Sequence, residues 1–422
     1  MHRNARPPDV NYRQIAALLA VAVGEAVLYE GGFSATARLL FAILAAGAVV
    51  AAVLWDRRAL TRLVRIPPVV VLLGLGVFGA ATSAWTVSSA GTALAWGMTV
   101  AAYAGVMLVA AALARVPRVA EVTAAGICGL AIISGLVGLA AAASFGEPFA
   151  DRVGGVWRPG GTLEYSAALS LLEVSALPGL LFAMCRPSRR LAAAGVLGGA
   201  VAASVLALSG SRAELALGAL VCAAAVGFPG RTVRSSRAVA VAAVGVLAAT
   251  AASAHVFAGG ATVAVARSPG HHAPRTHAAD FWHGRLHLWH AAIETAADRP
   301  LTGSGADAFL AASARHQQSG PVRFAHDLPL ELAAELGIAG ALLALALYAT
   351  VAREAWRARH GRAFWLLGPA TVAFPVAGLV DWPWHLAGCG AVWAVSLGVL
   401  AGGIRASEYG SAPMRRATPE AR

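Results

Sequence analysis

Four residues carry side chains suited to moving charge and protons: His326 in "RFAHDLPLELAAELGIAG", Arg212 in "LSGSRAEL", Arg285 in "DFWHGRLHLWHAAIETAADRP" and Asp381 in "VDWPWH". A guanidinium is a planar, permanently charged donor that matches phosphate geometry, and an imidazole titrates near neutrality. Together they suit displacement of a phosphate leaving group. The arginines would stabilise the negative charge growing on the departing group, and the histidine would take a proton from the attacking hydroxyl. The carboxylates Asp327, Glu331 and Asp381 are candidates to stabilise a cationic transition state or to orient the imidazole, and the sequence leaves open which of them does so. Arg323 and Trp289, near His326 and Arg285 in the chain, complete the expected substrate contacts.

These residues sit in an apolar chain. Of 422 residues, 58% are hydrophobic and only 13% charged, a composition that points to lipid as the solvent. A hydrocarbon core of roughly 30 Å takes about 20 apolar residues per helix. Twelve such runs are predicted, near residues 14–30, 35–55, 67–85, 91–114, 119–145, 162–184, 191–208, 213–228, 238–257, 328–351, 363–380 and 386–404. The expected fold is an all-α integral membrane protein of about 12 transmembrane helices, with one long extracytoplasmic loop containing an amphipathic helix. In chain order this divides into an N-terminal bundle (1–257), the loop (258–327), C-terminal helices (328–404) and a tail (405–422). The first run lacks a small-residue cleavage site and is expected to remain attached.

All 33 basic residues are arginine, and their placement orients the chain. With the N-terminus inside, 23 arginines fall on cytoplasmic segments such as "WDRRALTRLVR" and "REAWRARHGR", and ten on the other side. Six of those ten lie on the long loop, where the positive-inside rule loses force. Both termini are therefore expected in the cytoplasm, in a multi-pass protein of the cell's inner or cytoplasmic membrane. Arginines beside anionic lipid also account for the net charge of +12, so no nucleic-acid partner is expected. The four cysteines show no CxxC spacing and imply no disulfide framework. Independently of the chemistry proposed for them, the topology places Arg212, Arg285, His326 and Asp381 at one face of the membrane.

The long loop holds eight of the twelve histidines. Within it, "DFWHGRLHLWHAAIETAADRP" reads as an amphipathic helix capped by Asp280 and closed by Pro300, with Trp282, Leu286, Trp289, Ile293 and Ala296 as an apolar stripe able to lie on the membrane surface. His283, His287 and His290 form a neighbouring stripe with Glu294. That spacing is adequate for a metal, but a solvated face is the simpler reading. The following "LTGSGADAF" reads as a turn. Asp327 and Pro329 mark a helix start, and Glu331 and Glu335, four residues apart, share a face directed at protein or water. Trp382 and Trp384 are expected in the aromatic belt.

In a bacterial membrane the natural phosphate-bearing donor is a sugar chain on a polyprenyl diphosphate, and glycosyl transfer from it passes through an oxocarbenium-like state that a carboxylate would favour. The residues resemble those of the O-antigen ligase and O-antigen polymerase family, integral membrane glycosyltransferases, over about residues 160–345. The family pattern of His, a small polar residue, nine positions and Gly-x-x-Gly appears as His326, Asp327, Gly337 and Gly340, with Asp327 in place of the more usual amide or hydroxyl residue. "SGSRAEL", "GRLHLWHAAIETAADRPLTGSGADAF" and "GGVWRPGGTLEYSAALSLL" supply further matches in order. The resemblance implies transfer of an undecaprenyl-diphosphate-linked saccharide to an extracytoplasmic glycan, lipid or protein acceptor, without metal or cofactor. It assigns diphosphate to Arg212 and Arg285 and the role of base to His326. It does not separate a ligase from a repeat-unit polymerase. A twelve-span secondary transporter is the alternative of another class, disfavoured because the chain shows no internal repeat and its long loop lies off-centre.

Overall fold

The computed structural model describes residues 11–153, 156–226, 278–317 and 320–410. Thirteen helices lie there: α1 (Tyr12–Leu28), α2 (Ala35–Leu63), α3 (Pro67–Ala81), α4 (Ala90–Leu113), α5 (Val119–Ser144), α6 (Ser166–Met184), α7 (Arg189–Leu208), α8 (Arg212–Val226), α9 (Ala278–Asp298), the short α10 (Phe309–Ser313), α11 (Leu328–Ala358), α12 (Arg362–Ala377) and α13 (Ala387–Gly410). A two-stranded antiparallel hairpin, β1 (Ala150–Val153) and β2 (Val156–Pro159), joins α5 to α6.

Eight helices among the described residues are long and apolar enough to cross a membrane, each over one of the twelve expected spans. Three further expected spans are helical but shorter: α1 with 17 residues, α8 with 15 and α12 with 16. The expected span at 238–257 lies outside the described residues.

Two helices organise the bundle. α4 packs on α2, α3 and α13, and α6 packs on α5, α7, α8 and α12. In a bilayer, helix association depends on close backbone approach, which small residues permit. Gly398 and Gly402, four apart on α13, face the carbonyl groups of Met107 and Ala111, so any side chain there would collide with α4. Deeply buried aromatic residues pack inside the bundle, with Trp393 stacked on Phe374 at 5.0 Å and the Tyr103 hydroxyl donating to the Trp384 carbonyl at 3.0 Å.

α11 bends at Gly337, whose φ of +66° an L side chain adopts only with strain. A Cβ there would also stand 2.8 Å from the carbonyl oxygens of Pro300 and Leu301. The bend receives the Gly-rich turn after α9: the Ile338 N–H donates to Pro300, and the Gly305 N–H to the Glu335 carbonyl, both at 2.8 Å. The Glu335 carboxylate accepts from the backbone N–H groups of Asp307 and Phe309, at 2.9 Å each. The turn expected in "LTGSGADAF" is thus docked against the segment that carries Gly337 and Gly340.

The loop helix departs from expectation at its start. α9 begins at Ala278, so Asp280 lies inside it rather than capping it. Its face against the protein is formed by Ala291, Ala292 and Thr295, whose small side chains allow close approach to α11. Leu286 and Ile293 of the expected apolar stripe point outward, while Trp289 and Ala296 are half-buried. The side chain of Trp282 lies outside the described residues.

Candidate active site

His326 closes a short segment that enters α11, and that segment is held from several directions. Asp327 is the N-cap, accepting from the Leu330 N–H at 2.9 Å, an arrangement worth about 1 kcal/mol. The Leu328 N–H donates to the Gly378 carbonyl at 2.7 Å, and the Trp289 indole N–H to the His326 carbonyl at 3.5 Å. The Ala325 N–H donates to Glu331 at 2.7 Å. Under these constraints His326 adopts a φ of +54°, a costly conformation for a residue with a Cβ and one that collects at functional sites.

The imidazole meets Asp381, which follows α12. His326 Nδ1 lies 3.0 Å from Asp381 Oδ1. Asp381 is 4% exposed and also accepts from the Tyr165 hydroxyl at 2.9 Å and its neighbour Trp382's N–H at 2.9 Å. A carboxylate in this setting draws the histidine proton to Nδ1, which turns Nε2 into the lone-pair nitrogen. Nε2 has no hydrogen-bonding partner among the described residues.

The two arginines are placed by the residues around this pair. Arg285 lies one turn before Trp289 on α9, and its charge acts on both Tyr165 and Glu214. Arg212 is the exposed first residue of α8, two before the buried Glu214, whose carboxylate accepts from the Ser211 hydroxyl and feels the charge of Asp381. The structure therefore brings the regions of Arg212, Arg285, His326 and Asp381 to one end of the bundle.

Other expected contacts hold the site from below. Glu331 is 3% exposed and, besides Ala325, pairs with Nε2 of the buried His385. Glu335 is likewise consumed by backbone donors. Asp327 serves as the cap, with burial pushing its carboxyl up against the opposing pull of the Leu330 N–H. Arg323 and the buried Arg38 both reach Asp307, at 3.4 and 3.5 Å, and Arg38 also donates to the His385 carbonyl at 3.3 Å.

Trp382 and Trp384 lie within the protein rather than in an outward aromatic belt. Trp382 stacks on Tyr165 and on Phe324, with centroids 4.4 and 4.9 Å apart, and Phe324 stacks on His385 at 4.0 Å. A four-ring column thus runs beneath the His326 segment. Trp384 is 3% exposed and packs against Tyr103 and Trp393.

Of the loop histidines, His271, His272 and His277 lie outside the described residues, as does the side chain of His283. His290 pairs with Glu294 at 3.1 Å, and His316 with Glu294 at 3.0 Å and Asp298 at 2.8 Å. Among the described residues no group of three or more His, Cys, Asp or Glu is arranged to hold a metal ion.

Tyr165, Glu214 and His385 had no role in the sequence-based site. Their signal was a polar group at the edge of an apolar run: Tyr165 within "GTLEYSAALSLL", Glu214 in "SGSRAEL" and His385 at the end of "VDWPWH". Only the folded contacts distinguish these from ordinary interfacial residues.

The class defined by this architecture is a multi-pass, predominantly helical membrane protein with a charged site at one end of its bundle. Residues 197–345, which carry Arg212, Arg285 and His326, match the family model described as O-antigen ligase. Asp381 and Tyr165 lie outside the matched region and complete the site from other parts of the chain. No curated protein matches the chain.

Proposed function

We propose that the protein is a membrane glycosyltransferase that moves a saccharide from undecaprenyl diphosphate to an acceptor hydroxyl on the extracytoplasmic side, in surface polysaccharide assembly. The observation that carries this reading is the His326–Asp381 pair, whose partner Tyr165 feels the charge of Arg285, with His326, Arg285 and Arg212 all inside the region that matches the O-antigen ligase model.

In the proposed step, the acceptor oxygen attacks the anomeric carbon, and the bond from that carbon to the diphosphate oxygen breaks. The bonding electron pair leaves on the diphosphate, whose added charge Arg212 and Arg285 offset. The acceptor proton passes to Nε2 of His326, and Asp381 stabilises the imidazolium through Nδ1–H. These groups account for both the charge and the proton without invoking a metal. The orientation, with both termini in the cytoplasm, follows from the arginine distribution.

The test is transfer by purified, reconstituted protein from an undecaprenyl-diphosphate glycan, with no membrane gradient. Product from the wild type and none from His326→Ala or Arg212→Ala supports the reading. Undiminished transfer by either variant removes the assigned roles, and gradient-dependent movement of an unmodified substrate would make the protein a transporter. Product length separates transfer of a finished glycan from repeat-unit polymerisation.

A further inference from the structure

α11 is 31 residues long, about 45 Å of helix, so its last turns stand at the end of the bundle away from His326. There Glu354 is fully buried, and three arginines converge on it: Arg353 at 2.7 Å, Arg357 at 3.7 Å, and Arg405 of α13 through both terminal nitrogens, at 2.8 and 3.1 Å. Arg357 also pairs with Glu408. Arg115, which follows α4, is held on two sides, by Asp56 at 2.9 Å and by the ring of Trp55, whose centroid is 4.4 Å from its Cζ. α2 breaks its helical backbone at Asp56, and the Asp56 carboxylate accepts the Ala59 N–H at 2.9 Å, restarting the helix for its last turns. Those turns carry Arg62.

Arg62, Arg115 and Arg405 line one cleft of about 310 Å³ between the ends of α2, α4 and α13. Its six other lining residues are all Ala, Gly or Leu. Helix contact there is close, since a Cβ on Gly402 would stand 2.3 Å from the Ala111 carbonyl oxygen. Around the cleft these three arginines and the two further ones on Glu354 are set against three carboxylates, Asp56, Glu354 and Glu408. Five cations against three anions leave an excess of two positive charges, which pairing within the group cannot remove.

Guanidinium edges match phosphate oxygens, and a lining of Ala and Leu matches hydrocarbon. A free phosphate would use only the first and an uncharged lipid only the second. Basic pockets between the ends of transmembrane helices suit the head groups of anionic lipids, where both features are joined in one molecule.

We infer that this cleft is a binding site for an anionic phospholipid, its phosphate on Arg62, Arg115 and Arg405 and the start of its chains against the Ala and Leu lining. So bound, the lipid joins the ends of α2, α4 and α13. The inference is independent of the glycosyl-transfer reading.

The experiment uses the full chain in phosphatidylcholine nanodiscs containing a minor fraction of phosphatidylglycerol, with lipid retained by the released protein counted by native mass spectrometry and glycerol 3-phosphate as a head group lacking chains. The wild type is expected to retain phosphatidylglycerol over phosphatidylcholine, and glycerol 3-phosphate at equal concentration should not displace it. Arg62→Gln and Arg115→Gln should each weaken retention about fivefold, and Arg62→Lys should keep most of it. Ala406→Phe, which fills the cleft with no change of charge, should also lose it. Arg57→Gln with Arg58→Gln removes two exposed charges from the same segment outside the cleft and should change retention little. Melting in pure phosphatidylcholine reports any loss of fold, and if Arg115→Gln melts early through Asp56, Arg62→Gln decides. Retention by Arg62→Gln equal to wild type overturns the inference. An equal loss in the Arg57 and Arg58 variant overturns it as well, because it marks diffuse attraction to a basic surface, and displacement by glycerol 3-phosphate would mark a site for soluble phosphate instead.

Discussion

His326 Nδ1 and Asp381 Oδ1 stand 3.0 Å apart across 55 residues of chain, and this bond leaves Nε2 as the lone-pair nitrogen of the imidazole. Asp381→Asn presents an amide in place of a carboxylate and removes the charge that stabilises an imidazolium. Transfer is expected to fall by roughly 10²-fold or more, within the range general base catalysis contributes, while binding of the diphosphate lipid stays near wild type. Rates and lipid binding measured on the same purified variant check this, and a rate close to wild type would mean that Asp381 does not govern the base.

Tyr165→Phe removes one donor to Asp381 while keeping the ring that stacks on Trp382. The expected effect is a loss of several-fold in rate with little change in thermal stability, because one neutral donor is worth about 1 kcal/mol. Comparison with Tyr165→Leu, which also breaks the stack, separates the hydroxyl from the ring.

Glu331 and His385 form a buried pair beneath the His326 segment. Glu331→Ala leaves His385 without its partner and the Ala325 N–H without its acceptor. Breaking a buried pair from one side costs about 3–5 kcal/mol. Thermal unfolding in detergent should show a large drop, and replacing both residues with apolar ones of similar size should recover part of it.

Gly337→Ala forces a Cβ into a left-handed backbone position facing two carbonyl oxygens 2.8 Å away. Strain at such a position costs on the order of 1–3 kcal/mol before the collision is counted. The variant should melt earlier and show faster hydrogen exchange in the docked turn at 300–309, and a wild-type melting curve would place that turn's support elsewhere.

Acid should loosen the end of α9. The hydrogen bond from Arg315, followed by that from His316, holds the Asp298 carboxyl below its ordinary range. A depressed carboxyl adds stability above its unfolded value and loses it as the pH falls through the lowered one. Hydrogen exchange near residues 298–316 should therefore quicken on acidification below the usual aspartate range, and Asp298→Asn should quicken it at neutral pH and remove that part of the acid dependence.

The sequence placed the elements well because bilayer physics constrains them one at a time. A spanning segment must satisfy its own backbone bonds, so each apolar run of sufficient length is read without knowing its neighbours. The same constraint singles out Arg212, His326 and Asp381 as candidates, because ionisable groups are costly near lipid and these stand at the ends of apolar runs, whereas Arg285 lies on the loop helix. Asp280 was misread because a capping preference applies to a local position that the helix, starting at Ala278, did not use. On α9 the stripe residues Leu286 and Ile293 face outward, as a helix lying on a membrane surface requires, and it is the small residues Ala291, Ala292 and Thr295 that pack against α11.

Composition and residue type alone settled the membrane class, most of the helices and the residues able to carry charge and protons. The tertiary structure decided which carboxylate does what. Asp327, Glu331 and Asp381 have similar chemistry and no local signal separates them, yet one caps a helix, one pairs with His385 and one holds His326. Those assignments depend on approaches between segments up to 216 residues apart, such as Tyr165 and Asp381, and distances of that kind follow from packing rather than from any stretch of the chain read by itself.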